Sequence, residues 1–79
     1  MGGTVRVQGV NVEFESRYRV EIGEWQVTLR HPVHGFTVSE WGTTPADALK
    51  GARRALIFYG KEMERFTGNP GSEGQAPAA

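Results

Sequence analysis

One amphipathic helix narrows most sharply what this chain of 79 residues can fold into. Over residues 45–66, Leu49, Ala52, Leu56, Tyr59, Met63 and Phe66 recur at alternating spacings of three and four. That rhythm lines them along one stripe of an α-helix. The start of the helix is marked by side-chain chemistry: Thr44 can cap it, Pro45 suits the first helical position, and Asp47 stands three residues after the cap. Ala48, Ala52 and Ala55 are small enough to let the helix lie close to whatever it covers. Gly51 and Gly60 each cost about 1 kcal/mol against alanine in a helix, so something packs close to them or the helix bends.

The rest of the chain supplies a sheet for that stripe to cover. Tyr18, Val20 and Ile22 alternate, Gly23 and Glu24 follow, and Trp25, Val27 and Leu29 alternate again. A two-residue loop with glycine first suits a type II′ hairpin. That register sets Ile22 against Trp25, Val20 against Val27 and Tyr18 against Leu29, with all six on one face. The run HPVHG breaks the strand, and Phe36 and Val38 begin another that pairs with Leu29 and Val27. Trp41 falls out of this parity, so it faces outward or rejoins the core through a bulge. Nearer the start, Val5 and Val7 share one parity and Val10, Val12 and Phe14 the other, with Gly9 at the change: a bulge or a turn.

These elements predict one α+β domain over residues 5–67: three or four antiparallel strands with one C-terminal helix packed on one face. Residues 1–4 read as a flexible lead. Residues 68–79 are Gly, Pro, Ala and polar residues without the larger apolar side chains that could offset ordering entropy, and read as a disordered tail. The expected core is Tyr18, Val20, Ile22, Trp25, Val27, Leu29, Phe36, Val38, Leu49, Ala52, Leu56, Tyr59 and Met63. A domain of this size buries only about 60% of its unfolded surface, and with no cysteine it has no disulfide or thiolate zinc site to staple it. Such a chain gains from a partner or from oligomerisation. Nine basic residues balance nine acidic ones, so the chain lacks the basic excess of a non-specific nucleic-acid binder. No apolar run approaches the roughly 20 residues of a membrane span, and no signal-like segment opens the chain. A cytoplasmic protein with no membrane partner is expected.

Catalytic patterns are thin. His31 and His34 form H-x-x-H in a loop, but no third ligand stands at a recognised spacing, and no metal or cofactor is expected. Ser16 and Ser39 lack a legible base to activate them. Glu13 with Glu15 and Glu62 with Glu64 read as solvated pairs. No catalytic residue is expected.

Two surfaces suit binding instead. Lys50, Arg54, Ile57, Lys61 and Arg65, with Phe58 beside them, fall away from the apolar stripe of the helix. Ile57 and Phe58 then read as anchors of a protein contact with the cations as its rim; the plain alternative is a solvated face with stray hydrophobes. Arg17, Arg19, Thr28, Arg30 and Trp41 fall on the polar sheet face, with Arg17 and Arg30 expected as cross-strand neighbours. An arginine-bearing sheet face can enter a DNA groove, although an ordinary solvated face is the commoner outcome.

The run GTTPADAL, residues 42–49, resembles the G-x-T-x-x-E-A-L element of HicB-type antitoxins: Gly42, Thr44, Ala48 and Leu49 match, and Asp47 stands where that family often has Glu. The likeness extends over roughly residues 17–61. It implies a partial RNase H-like fold, three antiparallel strands and this helix, in a protein that acts by binding another. The segment 35–42 is longer than that family's usual turn, and its usual C-terminal DNA-binding region is absent. A competing likeness, carried by EWQVTLRHPVHG and TTPADALKGARRAL, is to AP2-like and integrase-arm DNA-binding domains, with Trp25 and Arg30 matching. It implies DNA reading by the sheet. The stretch between Gly42 and Ala48 is shorter than in AP2 domains, and Arg17 and Arg19 reproduce their arginine-rich first strand only in part. Double-stranded-RNA-binding domains share the closing outline, but their lysines at the helix start are missing. The leading expectation is therefore a small, non-catalytic, antitoxin-like protein that binds another protein or itself. The alternatives are a sheet-face DNA binder and an oligomeric accessory protein.

Overall fold

A computed structural model describes residues 2–67. Four strands, β1 (Gly2–Val7), β2 (Val10–Arg19), β3 (Glu24–Arg30) and β4 (Thr37–Gly42), precede one helix, α1 (Pro45–Thr67). The strands form an antiparallel meander in the order β1-β2-β3-β4. The expected architecture is present with four strands. The expected tail lies outside the described residues, as does the side chain of Phe66.

The parity change at Gly9 is a hairpin. Gln8 and Gly9 both have positive φ, 51° and 79°, and join Val7 directly to Val10. Two left-handed residues in a two-residue loop match the right-handed twist of the strands they join. The lead expected over residues 1–4 is corrected for residues 2–4: β1 begins at Gly2, which pairs with Glu15. Backbone pairing needs no side chain, and the Phe14 ring lies over Gly3.

The β2–β3 hairpin differs from the sequence-based register. Tyr18 faces Trp25, Ser16 faces Val27 and Phe14 faces Leu29, a slip of four residues along β2. The loop is residues 20–23, closed by Gly23 with φ 66° and its N–H donating to the Arg19 carbonyl at 2.8 Å. Glycine marks the positive-φ residue in both readings; only the loop length differs. Because the slip is even, every side chain keeps its face. What changes is depth: Val20 and Ile22 move into the loop and are 79% and 56% exposed, and Tyr18 is exposed too. Val7 and Val12 take their place in the core. Phe36 and Val38 slip by two in the same even manner, so Val38 faces Leu29.

The core lies between α1 and the inner face of β3 and β4, with one valine each from β1 and β2. Val7, Val12, Val27, Leu29, Val38, Ala48, Ala52 and Leu56 are buried, and Val5, Phe14, Phe36, Leu49, Ala55 and Ile57 pack against them. Each fully buried Val or Leu contributes about 1.5–3 kcal/mol. The helix start forms as its residues dictate: the Asp47 N–H donates to Thr44 Oγ1 at 3.1 Å. Gly42 is required there by space. A Cβ on it would sit 2.6 Å from the Ala48 nitrogen. The small residues Ala48 and Ala52, fully buried, carry the helix onto the sheet.

Candidate interaction site

A helix about 10–12 Å wide cannot cover four strands spaced about 4.8 Å apart. α1 lies on β3 and β4, and an apolar opening remains on each flank. On the β4 side, a groove of about 500 Å³ is lined by Phe36, Val38, Glu40, Ala55, Tyr59, Glu62 and Met63 among others. On the β2 side, a cleft of about 470 Å³ is lined by Phe14, Ser16, Trp25, Val27, Pro45, Ala46 and Leu49, with the Tyr18 and Trp25 rings 5.4 Å apart beside it.

The helix stripe accounts for the first opening. Its axis is turned so that Ala48, Ala52, Leu56 and Gly60 point down, not Tyr59 and Met63. Both were expected in the core. Tyr59 is 52% exposed and Met63 38%. Phe58, 56% exposed, packs edge-on against Tyr59 with ring centroids 5.1 Å apart. Ile57 turns the opposite way, toward the hairpin of β1 and β2, and packs on the core. It is therefore corrected from surface anchor to supporting core residue. Of the two expected anchors only Phe58 remains, joined by Tyr59 and Met63, which the stripe pattern had assigned inward. Lys50, Arg54, Lys61 and Arg65 are exposed as expected. Arg65 is held by Glu62 at 3.0 Å. Arg53, not singled out from sequence, reaches β1 and donates to the Arg6 carbonyl at 3.2 Å.

Gly60 explains the loop histidines. His31 Nδ1 accepts N–H bonds from Val33 at 3.2 Å and His34 at 3.1 Å. Its ring stacks on Phe36 with centroids 4.9 Å apart, and its Nε2 points at Gly60. The histidine thus closes the β3–β4 connection and wedges it under the helix. Burial first, then the nearby His34 charge, holds its pKa below the ordinary histidine value, against the pull of Glu64. Among the described residues no group of three His, Cys, Asp or Glu side chains gathers as a metal site.

The outer sheet face carries Arg17, Arg19, Thr28, Arg30 and Trp41, but not as an arginine cluster. Arg17 lies opposite Gln26 and Arg30 opposite Glu13, so these two are not cross-strand neighbours; the register slip separates them. Arg17 approaches Glu15 at 3.9 Å, and Arg19 approaches Glu21 at 3.5 Å while donating to Gln26 Oε1 at 3.3 Å. A hydrogen bond from its own backbone holds the Glu21 carboxyl below its ordinary value against desolvation, with help from the Arg19 charge. Thr28 and Ser39 share a hydroxyl hydrogen bond of 2.8 Å. Trp41 lies opposite Gln26 and is exposed, without a bulge. Arg17 and Arg19 thus each approach a carboxylate, Arg30 lies opposite Glu13, and Arg6 on the same face donates to the Gly9 carbonyl at 2.7 Å.

Compared with protein-family models, curated proteins and solved structures, the chain matches none. Every matching residue of the GTTPADAL run has a local task visible here: Gly42 admits the helix backbone, Thr44 caps it, Ala48 is fully buried and Leu49 packs on the core. No helix of the described residues is long and apolar enough to cross a membrane.

Proposed function

We propose that this chain is a small, non-catalytic binding module that works by docking another protein chain on the open flank of its helix, as an antitoxin or small regulator does. One observation carries the reading: Phe58, Tyr59 and Met63 stand exposed together beside the open edge of β4, over a groove floored by Phe36 and Val38. Contiguous exposed apolar surface of this kind marks interaction sites in stable domains. Aromatic side chains beside cations, here Arg54 and Arg65, have the composition of a contact surface. The likeness of residues 42–49 to HicB-type antitoxins supports the same class of action. Lack of cysteine fits a cytoplasmic site of action. Sheet-face DNA recognition is the weaker reading, because carboxylates interleave with the arginines there.

The test places the photocrosslinker p-benzoylphenylalanine at position 58 of the full chain expressed in its native cells, with nuclease treatment after irradiation. A protein adduct absent from a control placed at Thr28 is the expected result. No adduct, or the same adducts at both positions, overturns the proposal.

A further inference from the structure

Among the described residues, the β1 edge of the sheet is tied down at one group and the β4 edge at none. In antiparallel strands, alternate residues turn their N–H and C=O groups toward and away from the neighbour. The His31 N–H donates to the Phe36 carbonyl, so Phe36, Val38 and Glu40 face β3. Thr37, Ser39 and Trp41 therefore present their backbone groups at the open edge. By the same alternation, with Val7 and Val10 flanking the two-residue loop, Arg6 presents its carbonyl at the β1 edge. There Arg53 takes it. No described residue takes the outward backbone groups of β4.

Natural edge strands are blunted with lysine, proline, a bulge or an inward-pointing charge, and of these β4 has only the last. Its only charge, Glu40, lies on the helix side against Gly51. Its outward row is Thr37, Ser39 and Trp41, of which Thr and Trp are strong strand formers.

We infer that β4 pairs antiparallel with β4 of a second copy of this chain, joining two sheets into one of eight strands about a two-fold axis. This rests on the binding reading above and names its partner. The helix position supports self-pairing over other strands. α1 lies across β3 and β4. With strands about 4.8 Å apart, an axis midway between them sits about 5 Å from the dyad. Two such helices lie about 10 Å apart, within the ordinary helix-packing distance of roughly 8–10 Å. The helix runs back along β4, with Ala48 by Gly42, Gly51 by Glu40, and Ala55 and Tyr59 beside Val38 and Phe36. A dyad midway along β4, at Ser39, falls between Gly51 and Ala55 on the helix and therefore brings Gly51 of each copy beside Ala55 of the other. Small residues stand where the helices must approach, and Tyr59 of each copy lines the groove beside them.

Sedimentation equilibrium of the purified full chain from about 1 to 500 μM tests this, together with hydrogen exchange and two variants. A monomer–dimer equilibrium is expected, with the Thr37, Ser39 and Trp41 amides becoming protected as dimer forms. Tyr59→Lys, at an exposed helix position, is expected to weaken the dimer by about tenfold or more. Ser39→Pro removes an outward donor and should do the same; if it disturbs the fold by circular dichroism, Tyr59→Lys and the amides carry the test. A monomer at every concentration overturns the second copy as partner, while an adduct at position 58 to a chain of different mass would leave the binding reading standing. A dimer indifferent to both variants, with those amides unprotected, uses another face and overturns the inference as well.

Discussion

Two glycines in one helix are expected to respond differently to the same substitution. Replacing a helical glycine with alanine ordinarily stabilises by about 1 kcal/mol. At Gly51 the new Cβ would meet Glu40 Cγ at 3.4 Å and Cβ at 3.5 Å, a contact that a flexible side chain accommodates, so Gly51→Ala is expected to be neutral or stabilising by up to about 1 kcal/mol. At Gly60 it would sit 2.7 Å from His31 Nε2 and 3.1 Å from Cδ2. That ring cannot swing aside freely. Its Nδ1 holds two backbone N–H groups and its face stacks on Phe36. Losing one such bond costs about 0.5–1.5 kcal/mol, the ring stack about as much, and overpacking generally about 1–3 kcal/mol. After the propensity gain, Gly60→Ala should be between neutral and about 2 kcal/mol destabilising. The two variants then differ by about 2 kcal/mol, or roughly 8–16 °C in Tm for a domain of this size. Urea and thermal melts followed by circular dichroism, run on both variants, read the difference. A double-mutant cycle with His31→Ala should show the clash relieved in the pair. Gly60→Ala equal to or more stable than Gly51→Ala would refute the wedge between His31 and the helix.

Other consequences are as concrete. Leu56→Ala should cost about 2–5 kcal/mol, enough to unfold a thin domain, while Phe58→Ala on the exposed side should cost no more than about 1.5 kcal/mol, its edge contact with Tyr59; chemical denaturation compares them, and equal effects would mean the helix is rotated from the position described. Gly42→Ala forces a methyl toward the Ala48 nitrogen and should destabilise by about 1–3 kcal/mol, visible in the same melts, with no loss as the contrary result. His31, its pKa lowered from 6.5 in the folded chain, gives a pH signature. The unfolded chain takes up the proton first, so this contribution is full above about pH 6.5 and falls as pH drops through that value toward the lower folded pKa. Urea midpoints between about pH 7.5 and 5 should decline less in His31→Asn, which keeps an acceptor but does not titrate; an identical decline would remove His31 from the explanation. Duplex DNA at about 150 mM salt should show no saturable binding by fluorescence anisotropy. Tight, steeply salt-dependent binding lost in Arg17→Ala or Arg30→Ala would return the outer sheet face to the front.

The sequence by itself determined what depends on neighbours in the chain. The helix start at Thr44 and Pro45, the strand alternation and the side of the sheet each residue faces are set by local geometry with fixed periods, and periodicity reports them. Gly9 was legible as a bulge or turn and Gly23 as a turn residue, because that need is local as well. Gly51 and Gly60 announced close packing without saying against what. Tertiary structure decided everything that parity and periodicity leave degenerate. An even slip of β2 against β3 keeps every face and so leaves no mark in the alternation, yet it moved Val20 and Ile22 from the core into a loop and parted Arg17 from Arg30. The stripe of the helix was wide enough for more than one rotation. The approach allowed by Gly42, Ala48, Ala52 and Gly60 chose the one that buries Leu56, turns Ile57 inward and leaves Tyr59 and Met63 outside. The candidate site follows from that rotation and from which strands ended up as edges. Both are settled by packing between segments distant in the chain, where the free energy of close contact is gained only once the whole domain is assembled.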